Sequence, residues 1–443
     1  MSATVPVRAM AAPAGLLAGA GGPADLADHL RRHGPLPHLG AEAVLDAADH
    51  SGLTGRGGAG FPTGRKMRSV IAATAQAGRR ARTAGPVLVA NGCEGEPASM
   101  KDHALLAVAP HLVLDGIALA ARAVGAGTAH LCVHEDAAAV LDTVHRALAE
   151  RREAGIDTAH VRLVPVPNRY VASEETSLVR LLNGGPALPL FSPPRPFERG
   201  VDGRPTLVNN IETLAHLALI TRHGPDWFRS AGTKDAPGTA LVTVGGAVAA
   251  PGVYEIPLGI TGQDLLALAG GPTEPLQAVL AGGYFGAWLQ AARFQATAIT
   301  PAALAAAGAA MGAGIFVALP AGACGLAETA RVARYLAEQS AGQCGPCVNG
   351  LPSLALGLEA LAWRGDRRGP DHLARIAPYV TGRGACRHPD GAVRLITSAM
   401  TVFGTDVRAH TTHGPCQGAG LPPLLPVPAG PPAPAAPLLG RAR

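Results

Sequence analysis

Five glycines stand within ten residues in Gly55-Arg56-Gly57-Gly58-Ala59-Gly60-Phe61-Pro62-Thr63-Gly64, and Arg65 and Lys66 follow directly. Such a run lets backbone N–H groups approach an anion closely, and three cations flank it, so it suits a phosphate-bearing ligand. Positions 55, 57 and 60 also fit G-x-G-x-x-G. A dinucleotide fingerprint should follow a strand, however, and 43–50 reads as helix; a plain flexible loop is the alternative. Asn91-Gly92-Cys93-Glu94-Gly95-Glu96-Pro97 comes straight after the apolar run 86–90. Open α/β sheets place ligands at such strand ends. An Asn there can bond a flavin or ribose edge, and a Glu can bond ribose hydroxyls. Tyr170-Val171-Ala172-Ser173-Glu174-Glu175-Thr176 follows a run ending at Val166; its glutamates could serve a ligand or cap the next helix, with Ser173 as N-cap. Val208-Asn209-Asn210-Ile211-Glu212-Thr213 sets a polar pair in an apolar frame, with a simple turn as the other reading.

Cysteine and lysine usage narrow the chemistry further. Seven cysteines, an odd count without a secretory signal, argue against a disulfide scaffold. Cys344, Cys347, Cys386 and Cys416 fall in the last quarter, where a metal site should be sought. Of 37 basic residues only Lys66, Lys101 and Lys234 are lysine. A lysine that persists in so arginine-rich a chain is a candidate for chemistry that needs a compact ammonium.

The elements that must position these residues follow from composition and periodicity. The chain of 443 residues, 48% hydrophobic and 16% charged, is long enough for several cores and is not globally disordered. An aromatic fraction of 4% speaks against base-stacking surfaces. The net charge of +5 is scattered, so a solvated face, not a nucleic-acid footprint, is expected. Residues 301–324 are uncharged but Ala/Gly-rich, and their apolar core 315–319 ends at Pro320; a buried strand is expected there instead of a membrane span. Strand-like runs at 86–90, 130–133 and 161–166 alternate with helix-like stretches at 104–123 and 136–151, which indicates parallel βαβ units. From Gly238 onward, 240–244 and 252–257 read as a hairpin, followed by a short helix at 265–269. Helical spacing in 325–339, 351–361, 373–380 and 393–403 predicts a small bundle. Eight prolines in 417–443 predict a disordered tail.

Taken in order, GRGGAGFPTG, NGCEGEP with Lys101-Asp102, Y-x-x-x-E-E-T and PT-x-VNN-x-ET resemble the flavin subunit of NADH:quinone oxidoreductase, the 51 kDa subunit of complex I. Diaphorase subunits of NAD-linked hydrogenases and formate dehydrogenases share the family. The resemblance covers about residues 50–405. It implies an α/β chain with a Rossmann-like FMN- and NADH-binding domain at 51–237, behind an N-terminal segment at 1–50. An SLBB β-grasp module at 238–320, a helical iron–sulfur domain at 321–416 and the tail at 417–443 would follow. By position, Gly55, Arg56, Gly57, Lys66, Asn91, Asn209, Asn210 and Thr213 would surround FMN. Gly58, Ala59, Phe61, Glu94, Glu96, Glu174 and Glu175 would line the NADH site. No acid–base pair is needed, because the flavin carries the hydride chemistry.

Ser340-Ala341-Gly342-Gln343-Cys344-Gly345-Pro346-Cys347, with Cys386 further on, resembles the family's [4Fe-4S] loop, S-C-G-x-C-x-P-C. Ala341 occupies the position of its first cysteine. Cys344, Cys347 and Cys386 remain as ligands, and the fourth could be Cys324, Cys416 or His388; a three-iron, labile or absent cluster is also open. Two further departures are Ser173, where the family carries Gly, and Met67-Arg68-Ser69, where it carries aromatics that help stack NADH. The implied function is NADH dehydrogenase: electrons pass through FMN and the cluster to a ferredoxin-like, [2Fe-2S] or quinone-reductase partner. The alternatives are an NADH-independent electron-transfer subunit and an SLBB interaction scaffold. A cytoplasmic chain, at most peripheral to a membrane complex, is expected.

Overall fold

The computed structural model describes residues 7–9, 15–18, 21, 25–156 and 160–428. They fall into two units, one within Met1–Gly322 plus Ala385–Arg387 and one within Ala323–Gly384 plus His388–Arg443.

In the first unit, the apolar runs become four parallel strands, Val87–Asn91, Thr128–His134, His160–Val166 and Thr206–Asn210. Their order across the sheet is His160–Val166, Thr128–His134, Val87–Asn91, Thr206–Asn210. The chain therefore winds outward from Val87–Asn91 and then returns to its other side. Winding that reverses between two neighbouring parallel strands opens a crevice at their carboxyl ends. Here those ends are Asn91 and Asn209-Asn210, with Asn91 opposite Asn210 in register.

The expected helix at 104–123 is two helices, Lys101–Val108 and Pro110–Val124, bent by 98°. Pro110 has no N–H to continue the first helix and excludes helical geometry from Ala109, which sits at φ −137°. Pro110–Val124 is buried almost throughout and crosses Ile211–His223 at Gly116, where a Cβ would lie 2.0 Å from the Leu214 carbonyl oxygen. Among the described residues no single helix is long and apolar enough to cross a membrane; the bent pair passes that test only by length and composition.

The same unit holds a six-stranded mixed sheet in the order Val7–Ala9, Gly252–Pro257, Thr239–Gly246, Ile315–Pro320, Leu276–Ala281, Ala287–Gln290. Thr239–Gly246 and Gly252–Pro257 form the expected hairpin, and Ile315–Pro320 is a fully buried strand. Val7–Ala9 adds a parallel edge to Gly252–Pro257. Three residues are too short to show a period of two, so periodicity does not reveal this strand. Leu16 and Leu17 are buried nearby, and the Leu17 N–H donates to Glu255 at 3.1 Å. Part of the N-terminal segment thus completes the sheet module.

The second unit is the expected bundle, with helices Gly325–Glu338, Leu351–Arg364, Gly369–Val380, His388–Val402 and Gly404–His413. The proline-rich segment departs from expectation over 417–428. Leu425 is fully buried, Trp363 donates its indole N–H to the Ala419 carbonyl at 3.2 Å, and the Leu424 and Leu425 N–H groups donate to Glu328 at 3.1 and 3.0 Å. One apolar anchor and one buried carboxylate hold a segment whose composition alone reads as disordered. Residues 429–443 lie outside the described residues.

Candidate functional site

The glycine loop follows helix Ala41–Ser51, as its sequence requires, and not a strand. It closes on itself through the Gly55 N–H, which donates to the Phe61 carbonyl at 2.9 Å, and it is tied to the crevice by the Arg56 N–H, which donates to Thr213 Oγ1 at 2.8 Å. Gly58 adopts φ +102°, a conformation that favours glycine. At Gly57 a Cβ would press on the Asn210 Cβ at 3.2 Å, and at Gly64 one would meet Asp49 Oδ1 at 1.9 Å. The loop runs into helix Thr63–Gln76, whose first turn carries Lys66. Lys66 Nζ donates to the Val208 carbonyl at 2.6 Å and lies 3.3 Å from Glu175 Oε2.

Arg56 does not offer its charge to the loop's interior. Its buried guanidinium donates to Thr54 Oγ1 at 2.9 Å and to the Thr239 and Pro237 carbonyls at 3.0 and 3.4 Å, and it lies 4.0 Å from Glu212. Arg56 therefore shapes the loop through its backbone and pins it to the start of the six-stranded sheet. Of the flanking cations, Lys66 is the one at the crevice.

At the strand ends, Asn91 Nδ2 donates to the Ser173 carbonyl at 2.8 Å, while its Oδ1 accepts from the Cys93 N–H at 3.1 Å. Asn210 caps helix Ile211–His223 by accepting from the Glu212 N–H, and its Nδ2 donates to Asp102 at 2.6 Å. Asn209 differs from both. Its side chain is 6% exposed, and its Nδ2 has no hydrogen-bond partner among the described residues. A buried amide left without an acceptor costs free energy unless a ligand supplies one.

Beneath the crevice lies a buried charge network that the motifs do not announce. Lys101 Nζ sits 2.8 Å from both Asp102 and Glu212. Burial favours the neutral amine, but the two carboxylates outweigh it and hold the Lys101 ammonium above its ordinary range. Burial raises the Asp102 carboxyl, with Lys101 opposing. Burial also raises Glu212, but the Lys101 charge and His216 bring it down to about 2. Glu212 further accepts from the Leu241 N–H at 2.8 Å. The persistence of lysine at 101 is a sequence signal for this network, as is the place of Lys101-Asp102 and Glu212 beside the quoted motifs; Lys234 is exposed and outside it.

The four glutamates divide sharply. Glu94 accepts from Ser99 Oγ at 2.5 Å and from the His103 ring and N–H at 2.6 and 3.1 Å. Burial pushes its carboxyl up, but the His103 hydrogen bond and charge hold it at about 2. Glu96 accepts from the Tyr170 hydroxyl at 2.6 Å and from the Tyr284 N–H at 2.9 Å, and burial lifts it to about 7. Glu174 is the N-cap of helix Glu175–Leu182, accepting from the Thr176 and Ser177 N–H groups at 2.9 and 3.1 Å and from the Thr176 hydroxyl. Capping is the alternative reading for this pair, with Ser173 expected as the cap; Glu174 takes that role. Glu175, 36% exposed, keeps carboxylate surface open beside Lys66. Glu94, Glu96 and Glu174 thus make hydrogen bonds within the protein itself, and those of Glu96 come from segments far away in sequence.

Two departures from the family pattern acquire a physical meaning. Met67 is fully buried in the core with Val70, and Arg68 pairs with Glu42, Asp46 and Asp49. The side chain after Lys66 therefore faces the interior in this chain. Ser173 Oγ donates to the Tyr170 carbonyl at 3.3 Å, and both crowd Gly95, where a Cβ would lie 2.5 and 2.4 Å away. Phe61 is 44% exposed, with the Arg65 guanidinium 5.6 Å from its ring centre. Ala59 is exposed in the same loop.

In the second unit, Cys344 precedes and Cys347 lies within a single π-helical turn, Pro346–Gly350, which leads into Leu351–Arg364. Cys324 caps the opposite end of Gly325–Glu338, accepting from the Ala327 N–H at 3.4 Å. That helix has 14 residues, so about 21 Å separates its ends. Cys324 is therefore remote from Cys344 and Cys347. It lies instead with His410 and Cys416, whose ligand atoms come within 4.8 Å of one another. The expected assignment of Cys324 or Cys416 as fourth cluster ligand is corrected by this separation. His388 directs Nε2 at the Leu336 carbonyl, 2.7 Å away.

The donor sets fit the implied groups. The glycine cradle, the Lys66 ammonium and the unpaired Asn209 amide suit a flavin phosphate and ring edge. Cys344, Cys347 and Cys386 are not joined in disulfides, and thiolates are the ligand type a cluster requires.

Comparison with known proteins agrees in each region. The Nuo51 FMN-binding domain matches residues 48–219, the SLBB domain 241–283, and the NADH-ubiquinone oxidoreductase-F iron-sulfur binding region 327–410. An NADH-quinone oxidoreductase subunit of Rhizobium meliloti (strain 1021), the second of its F type, is 30% identical over 388 residues, 85% of this chain and 90% of that protein. The alpha subunit of the NAD-reducing hydrogenase HoxS of Cupriavidus necator is 35% identical over 243 residues, covering 52% of this chain and 39% of that protein. Solved structures of an NAD+-reducing [NiFe]-hydrogenase share the fold at 30% identity. In the air-oxidized state the TM-score is 0.80, covering 92% of this chain and 68% of that one; in the H2-reduced state it is 0.76, covering 85% and 63%. The chain belongs to the Nuo51 family of NADH-quinone oxidoreductase subunits.

Proposed function

We propose that this chain is an NADH-oxidising flavoprotein subunit that binds FMN at the crevice between Val87–Asn91 and Thr206–Asn210 and passes electrons to a partner. The observation that carries this reading is Asn209, whose buried Nδ2 has no partner among the described residues, set at the switch point of a parallel sheet beside Lys66 and the glycine loop. FMN, when bound, supplies the hydride-accepting chemistry and the conversion from two-electron to one-electron transfer. The chain's own task is to hold and orient. Backbone N–H groups of Gly57 and Gly58 and the Lys66 ammonium receive phosphate, and Asn91, Asn209, Asn210 and Thr213 frame the ring.

For the dinucleotide, Glu175 is the carboxylate left to accept ribose hydroxyls, and Phe61 with Gly58 and Ala59 offers an exposed face beside the loop. Glu94, Glu96 and Glu174 support that site from behind. Cys344, Cys347 and Cys386 would hold a cluster that hands single electrons on, with the remaining iron coordinated outside this set. The family relatives are subunits by name, and one cluster loop needs an acceptor, so the partner we infer is a ferredoxin-like or [2Fe-2S] subunit.

The test is NADH-dependent reduction of ferricyanide by FMN-replete protein. Glu175→Gln should raise KM for NADH by about tenfold or more, the loss of one charged hydrogen bond, with FMN content unchanged. FMN-replete protein that leaves NADH unoxidised would end this reading.

A further inference from the structure

Cys324, His410 and Cys416 converge at the end of the helical hairpin formed by Gly325–Glu338 and Leu351–Arg364. Cys324 Sγ lies 3.8 Å from His410 Nε2, and the Cys416 N–H donates to that same nitrogen at 3.1 Å. The other ring nitrogen, Nδ1, is 3.3 Å from the Leu361 carbonyl, to which it can only donate. This fixes the tautomer that carries its proton on Nδ1, and the Nε2 lone pair accepts from the Cys416 N–H, a bond that a cation at Nε2 would replace. A backbone carbonyl behind a histidine is the arrangement that orients metal-ligating imidazoles. Cys324 and His410 are buried, whereas Cys416 is exposed, so solvent reaches one side of the group.

We propose that Cys324, His410 and Cys416 bind one thiophilic divalent cation, zinc in the first instance, at a site separate from the cluster loop. Tetrahedral zinc with ordinary Zn–S and Zn–N bonds places its S and N ligand atoms about 3.6 Å apart, close to the 3.8 Å found. Two thiols and one imidazole select zinc over hard cations, and the fourth position opens to water on the Cys416 side. Binding releases the two thiol protons to solvent and leaves a neutral Cys2His centre. The consequence is mechanical. The cation joins the start of one hairpin helix to Gly414-Pro415-Cys416, from which the chain continues to the Trp363 and Glu328 anchors. It would staple the C-terminal segment to the bundle.

Zinc and iron are measured together per chain on anaerobically purified full-length protein, with cobalt(II) substitution as an optical probe. The wild type should carry one zinc beside its iron and show thiolate-to-cobalt charge transfer. Cys416→Ser removes an exposed thiol and should lower zinc at least tenfold with iron unchanged; Cys344→Ser should lower iron and leave zinc. Zinc should also slow proteolysis between residues 413 and 428 in the wild type but not in Cys416→Ser. Iron that falls in Cys416→Ser, zinc content equal in that variant and the wild type, absence of zinc, or an intact mass showing a Cys324–Cys416 disulfide would each overturn the proposal.

Discussion

Lys101→Met isolates the contribution of the buried charge network beneath the crevice. The substitution keeps an unbranched side chain, one atom shorter, and removes the ammonium that sits 2.8 Å from Asp102 and 2.8 Å from Glu212. Both carboxylates then stay in the interior without their counter-charge. Removing one partner of a buried pair costs about 3–5 kcal/mol. For a unit of this size about 2 °C of Tm follows each kcal/mol, so the loss should be roughly 6–10 °C at pH 7. The sign of the pH dependence is fixed by the same geometry. Burial already raises the Asp102 carboxyl in the native protein and it rises further without Lys101, while Glu212 loses the charge that chiefly holds it down against burial. Groups whose folded pKa lies above the unfolded value bind protons more tightly in the native state. Stability therefore falls as pH rises through that window. The Tm gap between wild type and variant should accordingly be smaller at pH 5 than at pH 8. Thermal unfolding followed by circular dichroism at the two pH values is the assay. A gap below about 2 °C at pH 7, or one that does not change with pH, would refute the reasoning.

Glu96→Gln keeps an acceptor for the Tyr284 N–H and Tyr170 hydroxyl but abolishes a titration lifted to about 7 by burial. Wild-type stability should fall by on the order of 3 kcal/mol as pH rises from about 4.5 to 7 through this group, and Gln should flatten that part of the Tm profile. Asn209→Ala removes a donor that has no partner among the described residues. It should raise the FMN dissociation constant roughly 5- to 150-fold while leaving the Tm of the flavin-free protein unchanged, as measured by flavin fluorescence and by thermal unfolding.

Much of this architecture was legible because the chemistry is local. Asn209-Asn210 and Asn91 end their own strands, and the glycine loop carries its conformational demands in its own residues. What the sequence could not display was pairing across distance. Glu96 reads as a ligand carboxylate until Tyr170 and Tyr284 assemble around it. The helix predicted at 104–123 hid a bend because hydrophobic periodicity runs through Pro110 uninterrupted. Cys324 looked available to the cluster because sequence distance ignores the rigid helix that follows it. His410 gave no signal at all: it becomes visible only when Leu361, Cys324 and Cys416 surround it.

The central claim is that FMN held at the strand ends accepts electrons from NADH in this chain. Anaerobic titration of the FMN- and cluster-replete protein with NADH, followed by absorbance, tests it directly. The account predicts that the flavin bands bleach with substoichiometric to stoichiometric NADH and recover when ferricyanide is added. Flavin bands that persist in excess NADH, while dithionite bleaches them, would contradict it.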